Sequence, residues 1–322
     1  MRNIWFSYLA TSILLSIFIG IVAWISYPLL QVKASTITSP LPSFLTMINN
    51  DQVSTLDLWF PAGTVLGTDI KESNLTAKAA LIYDLTSEKA LFAENEKEKL
   101  PMASLTKIMT AIIAIENKKP DDKYIVSQSD IVGENSMGLT AGEVLSQEEL
   151  LYGLMLPSGN DAAEVFASNY TFGRDGFILA MNNKAKALGL TDTHFTNPSG
   201  LQGDGDQYTT AYDLLAMTKY AMERFPFFRT VVSTVAYTIP YGDAHKTFYL
   251  ENETNLLTSY PGVKGVKTGY TPEAGLCLVT YLEYKDRKII GVLLGSENRR
   301  AEMKELLDYS LRMLGIQPPP HS

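Results

Sequence analysis

The chain has 322 residues, of which 46% are hydrophobic and 19% charged, and its formal net charge is −8. This length and composition predict a folded globular protein of one large or two ordinary domains, and the acidic balance argues against nucleic acid as a partner. The single cysteine, Cys277, excludes an internal disulfide and a thiolate metal site.

The N-terminal segment is apolar enough to cross a membrane. No charged residue occurs between Arg2 and Lys33, and about 20 consecutive apolar residues span a bilayer. Aromatic residues typical of membrane interfaces lie within the run: Trp5, Tyr8, Trp24 and Tyr27. We therefore expect residues 1–33 to form a single-pass transmembrane helix at the cell membrane, with the remainder extracytoplasmic. The alternative is a signal segment, and the protein is then secreted if residues 1–34 are cleaved.

The folded part begins after a stalk or linker over residues 34–74, which is rich in Ser, Thr, Pro and Asn. Two β-rich runs, residues 79–84 and 89–93, flank a turn and predict a hairpin. Apolar residues at spacings of three and four over 105–116 predict a buried helix. The following segment, from about 120 to 225, is mostly helical with loops.

Capping signals place several helix starts in that segment. Ser146 and Glu149 form a capping box, Asn160 opens the next helix and Thr209 begins another.

The chain becomes strand-like again after residue 230. Four short β runs are predicted: residues 231–239, 265–269, 276–281 and 289–294. An amphipathic helix over 300–314 follows, and residues 317–322 are expected to be a disordered tail. The order predicts an α+β domain over residues 75–316, with an antiparallel β-sheet flanked by helices and a mostly helical insertion.

The first chemical motif is Ser104-Leu105-Thr106-Lys107 at the start of the apolar helix. Residues three apart lie on one helical face, so Lys107 can reach the Ser104 hydroxyl. A lysine with a lowered pKa can take the proton of such a nucleophile. The competing interpretation is a solvated helix start, but the apolar surroundings argue against it.

Two further motifs are weak on their own. Ser158-Gly159-Asn160 precedes a helix, where a turn with an N-cap is the simpler interpretation, but its hydroxyl and amide can also serve a substrate. Lys267-Thr268-Gly269 lies in a strand-like run, where the lysine can bind a carboxylate and the glycine lets a substrate backbone approach.

Together the three motifs occur in the order found in penicillin-binding proteins and class A β-lactamases. The chain from about residue 75 to 315 resembles the D-alanyl-D-alanine carboxypeptidase family of low-molecular-mass penicillin-binding proteins (the S11 type). Longer stretches carry the resemblance: residues 100–107, 157–163, 195–201 and 255–275. It implies a β-lactamase/transpeptidase-like fold, with no cofactor and no metal.

The resemblance also implies roles for individual residues. Ser104 would be the nucleophile, Lys107 the general base, Ser158 a proton relay and Asn160 the group that orients the substrate amide. Lys267 and Thr268 would bind the terminal carboxylate beside Gly269, and the N–H groups of Ser104 and Tyr270 would form the oxyanion hole. The implied substrate is the peptidoglycan stem peptide ending in D-Ala-D-Ala, with β-lactam antibiotics as inhibitors.

Several alternatives remain at this stage. The protein could be a D,D-endopeptidase on crosslinks, a β-lactamase or a cell-wall-binding protein with a degenerate site. A Ser-His-Asp triad is disfavoured because the chain has only three histidines, none near a nucleophile-elbow pattern. The family often carries a further β-rich domain and a membrane anchor after the catalytic domain, for which no room follows here, and the Gly/Asp-rich loop over 200–206 departs from the family pattern.

Overall fold

The computed structural model describes residues 75–254 and 256–321. The predicted transmembrane helix over 1–33 and the predicted stalk over 34–74 therefore lie outside the described residues. Within the described ranges, no helix combines the length and the apolar content needed to span a bilayer.

A five-stranded antiparallel sheet with the strand order β2-β1-β9-β8-β7 organises the described domain. Its strands are β1 (Ala79–Asp84), β2 (Lys89–Glu94), β7 (Val263–Thr271), β8 (Gly275–Tyr284) and β9 (Arg287–Ser296). Every residue of β1 is buried, because the sheet is covered on both faces. This explains why β1 is apolar throughout instead of alternating.

The two faces of β1 belong to two different apolar clusters. Ala80 and Ile82 pack with the C-terminal helix, through residues such as Leu307. Leu81 and Tyr83 point to the other face and join the core of the helical part. The alternation of side chains along a strand thus connects the sheet to both layers.

The helical part lies between β2 and β7 in the chain. Its elements are a 3-10 turn (Ala103–Thr106), α1 (Lys107–Glu116), a 3-10 turn (Gln128–Asp130), α2 (Gln147–Met155), α3 (Asn160–Ser168), α4 (Gly173–Ala187), α5 (Ala211–Arg224), α6 (Pro226–Val232) and α7 (Leu256–Ser259). Two small two-stranded antiparallel sheets complete it: β3 (Tyr124–Ile125) with β4 (Val144–Leu145), and β5 (Ala236–Ile239) with β6 (Phe248–Glu251). The last helix, α8 (Arg299–Met313), covers the five-stranded sheet. The predicted α+β class is confirmed.

The predicted helix starts also agree with the structure. The Ser146 side chain accepts a hydrogen bond from the Glu149 N–H, and the Glu149 carboxylate accepts one from the Ser146 N–H, which is a capping box. Thr210 caps α5 by accepting from the Asp213 N–H. These short-range contacts need no tertiary context, which is why the sequence indicates them.

One predicted strand begins too early. Val231 and Val232, predicted as the start of a β run, are the last residues of α6, and the strand begins at Ala236. Pro226 at the first turn favours a helix. The buried side chains of Phe228, Val231 and Val232 recur at a helical spacing.

The predicted disorder of residues 317–322 is corrected for residues 317–321. Pro318 and Pro319 are buried, and the His321 ring stacks on the Tyr260 ring with centroids 4.7 Å apart. The His321 imidazole also lies 3.0 Å from an Asp308 carboxylate oxygen. Three consecutive prolines have little conformational entropy to lose, so a few such contacts suffice to order the segment.

Candidate active site

Ser104 lies on the 3-10 turn that leads into α1, and neighbouring glycines hold this turn in place. Ala103, just before it, has a positive φ of 48°. Gly200 lies so close that a Cβ there would stand 2.0 Å from the Ala103 carbonyl oxygen, and a Cβ at Gly269 would stand 3.1 Å from the Ser104 nitrogen. The turn is therefore packed between the loop after Pro198 and strand β7.

Lys107 is fully buried below the Ser104 hydroxyl. Its Nζ lies 3.0 Å from Ser104 Oγ and donates to Asn160 Oδ1 at 2.6 Å and to the Ser199 carbonyl at 2.7 Å. Burial, and secondly the positive charge of Lys267, hold the Lys107 pKa well below its ordinary value. A neutral amine has two N–H donors for the two carbonyl acceptors, which leaves its lone pair for the Ser104 hydroxyl.

Ser158 brings a second hydroxyl to the same place. It precedes α3 with a positive φ of 61°, and its Oγ is buried without a hydrogen-bond partner in the described part of the chain. A buried hydroxyl without a partner costs about 1–3 kcal/mol, so this group is poised for a ligand.

Asn160 has a larger structural role than the sequence predicts. Its Oδ1 accepts from Lys107, and its Nδ2 donates to the Glu134 carbonyl at 2.7 Å. Because a side-chain amide carries two N–H donors, one remains for a substrate carbonyl.

Strand β7 carries Lys267, Thr268 and Gly269 at the edge of the sheet. The Lys267 side chain is 1% exposed, and burial lowers its pKa to about 8. Tyr270, the next residue, is exposed. An edge strand has a row of unpaired N–H and C=O groups, which an extended peptide can use.

Arg299 was not predicted as a site residue, but it supports this strand. It is the first residue of α8, and its Nη1 donates to the Gly269 carbonyl at 2.6 Å and to the Cys277 carbonyl at 3.3 Å. It reaches the site from 30 positions away in sequence, and no local pattern signals that approach.

One cleft of about 540 Å³, a volume that includes open solvent, is lined by Ser104, Ser158, Asn160, Arg299 and part of β7. Lys107 and Lys267 are buried and do not line it. Its lining comprises Ser104, Glu134, Asn135, Ser158, Asn160, Gly200, Leu201, Glu253, Thr268, Gly269, Tyr270, Thr271 and Arg299. The structure thus brings Ser104, Lys107, Ser158, Asn160 and strand β7 together. Sequence reasoning missed Glu134, Asn135 and Glu253, whose approach depends on long-range folding.

Other chemistries have less support at this cleft. None of the three histidines lines it. Within residues 75–254 and 256–321, no group of three or more His, Cys, Asp or Glu side chains is arranged to hold a metal ion. A serine, a buried lysine and an unpartnered hydroxyl together suit acyl transfer through a covalent ester.

Comparison with known proteins points to the same chemistry. The sequence profile of a family described as D-alanyl-D-alanine carboxypeptidase matches residues 67–298. The chain is 34% identical over 256 residues to the D-alanyl-D-alanine carboxypeptidase DacF of Bacillus subtilis, a match that covers 75% of this chain and 64% of that protein. The chain thus spans less than two thirds of that relative's length.

Two other similar proteins have solved structures. The D-alanyl-D-alanine carboxypeptidase of Streptomyces sp. strain K15 is 33% identical over 78% of this chain and 92% of its own length. The solved structure of the Streptomyces K15 DD-transpeptidase has a TM-score of 0.70 at 31% identity, and the match covers 76% of this chain and 100% of that chain. Penicillin-binding protein D2 of Listeria monocytogenes, solved with cefotaxime bound, has a TM-score of 0.66 at 29% identity, over 74% and 99% of the two chains.

Proposed function

The chain belongs to the D-alanyl-D-alanine carboxypeptidase family, and from this premise we propose that it is a serine-type hydrolase that removes the terminal D-alanine from peptidoglycan stem pentapeptides. The observation that carries the proposal is the buried Lys107 amine 3.0 Å from the Ser104 hydroxyl, with both carbonyl neighbours already satisfied by its N–H groups. The catalytic domain is the one predicted over residues 75–316.

Acylation follows from this geometry. Neutral Lys107 takes the Ser104 proton as Oγ attacks the carbonyl between the two D-alanines. The backbone N–H groups of Ser104 and Tyr270 bind the developing oxyanion, and one such donor is worth about 10²–10³ in rate. Ser158 relays the proton held by Lys107 to the leaving amine nitrogen, the peptide C–N bond breaks and D-alanine departs. Water then hydrolyses the ester on Ser104 and regenerates the hydroxyl.

The cation on β7 provides the specificity for a C-terminal substrate. The charged Lys267 side chain and the Thr268 hydroxyl bind the terminal carboxylate. Gly269 leaves room for the substrate backbone along the strand edge. β-Lactams place a carboxylate and a strained amide in the same cleft, so they acylate Ser104 and inhibit the enzyme.

We further propose that residues 1–33 anchor the protein in the cell membrane as a single-pass helix, with the catalytic domain on the extracytoplasmic side. The uncharged run between Arg2 and Lys33 supports this, and the substrate lies outside the membrane. N-terminal sequencing of the membrane and medium fractions tests it. A mature protein that begins near residue 35 in the medium would contradict anchoring.

Three substrates separate the proposed activity from its alternatives. We expect the full-length protein to release free D-alanine from a pentapeptide ending in D-Ala-D-Ala and to turn over penicillin slowly. Faster cleavage of a crosslinked dimer would identify a D,D-endopeptidase, and rapid penicillin hydrolysis without D-alanine release would identify a β-lactamase.

A further inference from the structure

The catalytic cleft contains carboxylates that the proposed acyl transfer does not use. Lys267 and Arg299 place positive charge on the β7 side, where a terminal carboxylate binds. Glu134 and Glu253 also line the cleft, and Asn135 links them, because its Nδ2 donates to Glu253 Oε1 at 3.3 Å.

Both carboxylates are available to a ligand. Glu134 and Glu253 are exposed, and in the described part of the chain neither forms an ion pair with a lysine, arginine or histidine. Glu253 even opposes the lowering of the Lys107 pKa, which disfavours the neutral base. Glu253 also opposes the lowering of the Lys267 pKa and so favours the charged lysine, but its carboxylate forms no bond in the proposed reaction on Ser104.

The backbone that presents Glu134 is held in a costly conformation. Glu134 and Asn135 are consecutive non-glycine residues with positive φ, at 59° and 41°. Such backbone is strained and persists only where its surroundings fix it. Here Asn160 donates to both carbonyls, from its Nδ2 to Glu134 and from its backbone N–H to Asn135, each at 2.7 Å.

The adjoining residue Asp161 fixes the rest of this loop. Its buried carboxylate accepts from the backbone N–H groups of Met137, Gly138 and Leu139 at 3.0–3.1 Å. With the carbonyls turned toward Asn160, the side chains of Glu134 and Asn135 are left exposed at the cleft.

A second observation shows that this cleft is built for a polar ligand. The Ser158 hydroxyl, on a residue that is 1% exposed, lines the same cleft and has no partner among the described residues. We propose that Glu134 and Glu253 are specificity-determining residues that select peptides with a free primary amine in the acyl part, on the residue before the D-Ala-D-Ala pair. This rests on the proposed function and narrows its substrate to stem peptides in which the amine of that residue is not yet acylated.

Two peptides and a β-lactam test this inference with the full-length protein. The peptides end in lysyl-D-Ala-D-Ala and differ only in whether the lysine side-chain amine is free or acetylated. We expect kcat/KM for the free amine to be roughly tenfold higher, since two exposed ion pairs each add a modest attraction. The preference should shrink in high salt.

Variants assign the preference to the carboxylates. The double variant Glu134→Gln, Glu253→Gln should reduce the kcat/KM ratio of the free-amine peptide to the acetylated peptide to below about twofold. The change should come mainly from slower cleavage of the free-amine peptide. Glu251→Gln, which removes an exposed carboxylate from β6 outside the cleft lining, should leave the ratio unchanged.

The outcomes separate this inference from the proposed function. If penicillin acylates Ser104 and D-alanine is released without any preference between the peptides, the specificity inference is wrong but the proposed function stands. If the double variant slows both peptides equally and delays deacylation of the penicilloyl-enzyme, Glu253 acts on the water instead, which also overturns it. Absence of both acylation and D-alanine release would refute the proposed function itself.

Discussion

Replacing Lys267 by methionine is expected to stabilise the fold while removing carboxylate binding. The Lys267 side chain is 1% exposed, and burial lowers its pKa from 10.5 to about 8. That difference corresponds to roughly 3 kcal/mol of destabilisation while the native lysine is charged. Methionine has a similar volume and no charge, so it fills the same space without the desolvation cost.

The pH dependence gives this effect a definite sign. The unfolded chain binds the Lys267 proton more tightly than the folded chain, so wild-type stability rises between pH 8 and 10.5. The destabilisation caused by the buried, charged Lys267 side chain is therefore fully present below pH 8 and absent above pH 10.5. In urea unfolding, Lys267→Met should be more stable than the wild type by about 2–3 kcal/mol at pH 7, with most of the gain lost at pH 10.5.

A control on the same strand and an activity assay complete the test. Lys264 is exposed on β7, so Lys264→Met should change stability by less than about 0.5 kcal/mol at both pH values. Penicillin acylation of Lys267→Met should slow by roughly 100-fold, a loss typical of removing one partner of a buried pair of opposite charges. A variant less stable than the wild type at pH 7, or a gain equal at both pH values, would refute this reasoning.

Three further predictions follow from packing around the site. Gly200→Ala should slow acylation at least tenfold because its Cβ would meet the Ala103 carbonyl. Gly203→Ala is the control, since Gly203 also has a positive φ but open space around it, and this variant should keep the acylation rate. Equal losses of rate in the two variants would contradict this prediction. Asp161→Ala should lower the free energy of unfolding, measured in urea, by about 3 kcal/mol or more, since it leaves the buried N–H groups of Met137 and Leu139 without an acceptor. An unchanged free energy would show that Asp161 does not hold this loop. Removing residues 317–322 should lower the melting temperature without changing acylation, and an unchanged melting temperature would mean that the tail does not contribute.

The features that sequence predicts well are those set by near neighbours. The capping box at Ser146, the buried helix after Ser104 and the apolar strands around Lys267 depend on residues a few positions apart. The motif order also led to the right family. The structure brings the predicted site residues to one cleft, and their catalytic roles stay predictions until they are measured.

The features that sequence reasoning missed depend on distant contacts. Arg299 reaches the Gly269 carbonyl from the start of α8, and Glu253 meets Asn135 across 118 positions. Neither approach has a periodic or capping signal. The prediction of a disordered tail was wrong for the same reason, since the contacts that order the tail are made with Tyr260 and Asp308. Val231 was assigned to a strand because a short apolar run suits a strand as well as a buried helix.

The most direct test of the central claim is the site of covalent modification. Mass spectrometry of the protein after brief incubation with a penicillin should show one adduct, and peptide mapping should place it on Ser104. Ser104→Ala should show none, and Lys107→Ala, which loses the base 3.0 Å from the hydroxyl, should acylate more slowly by at least about 10². An adduct on another residue, or normal acylation of Lys107→Ala, would contradict the account.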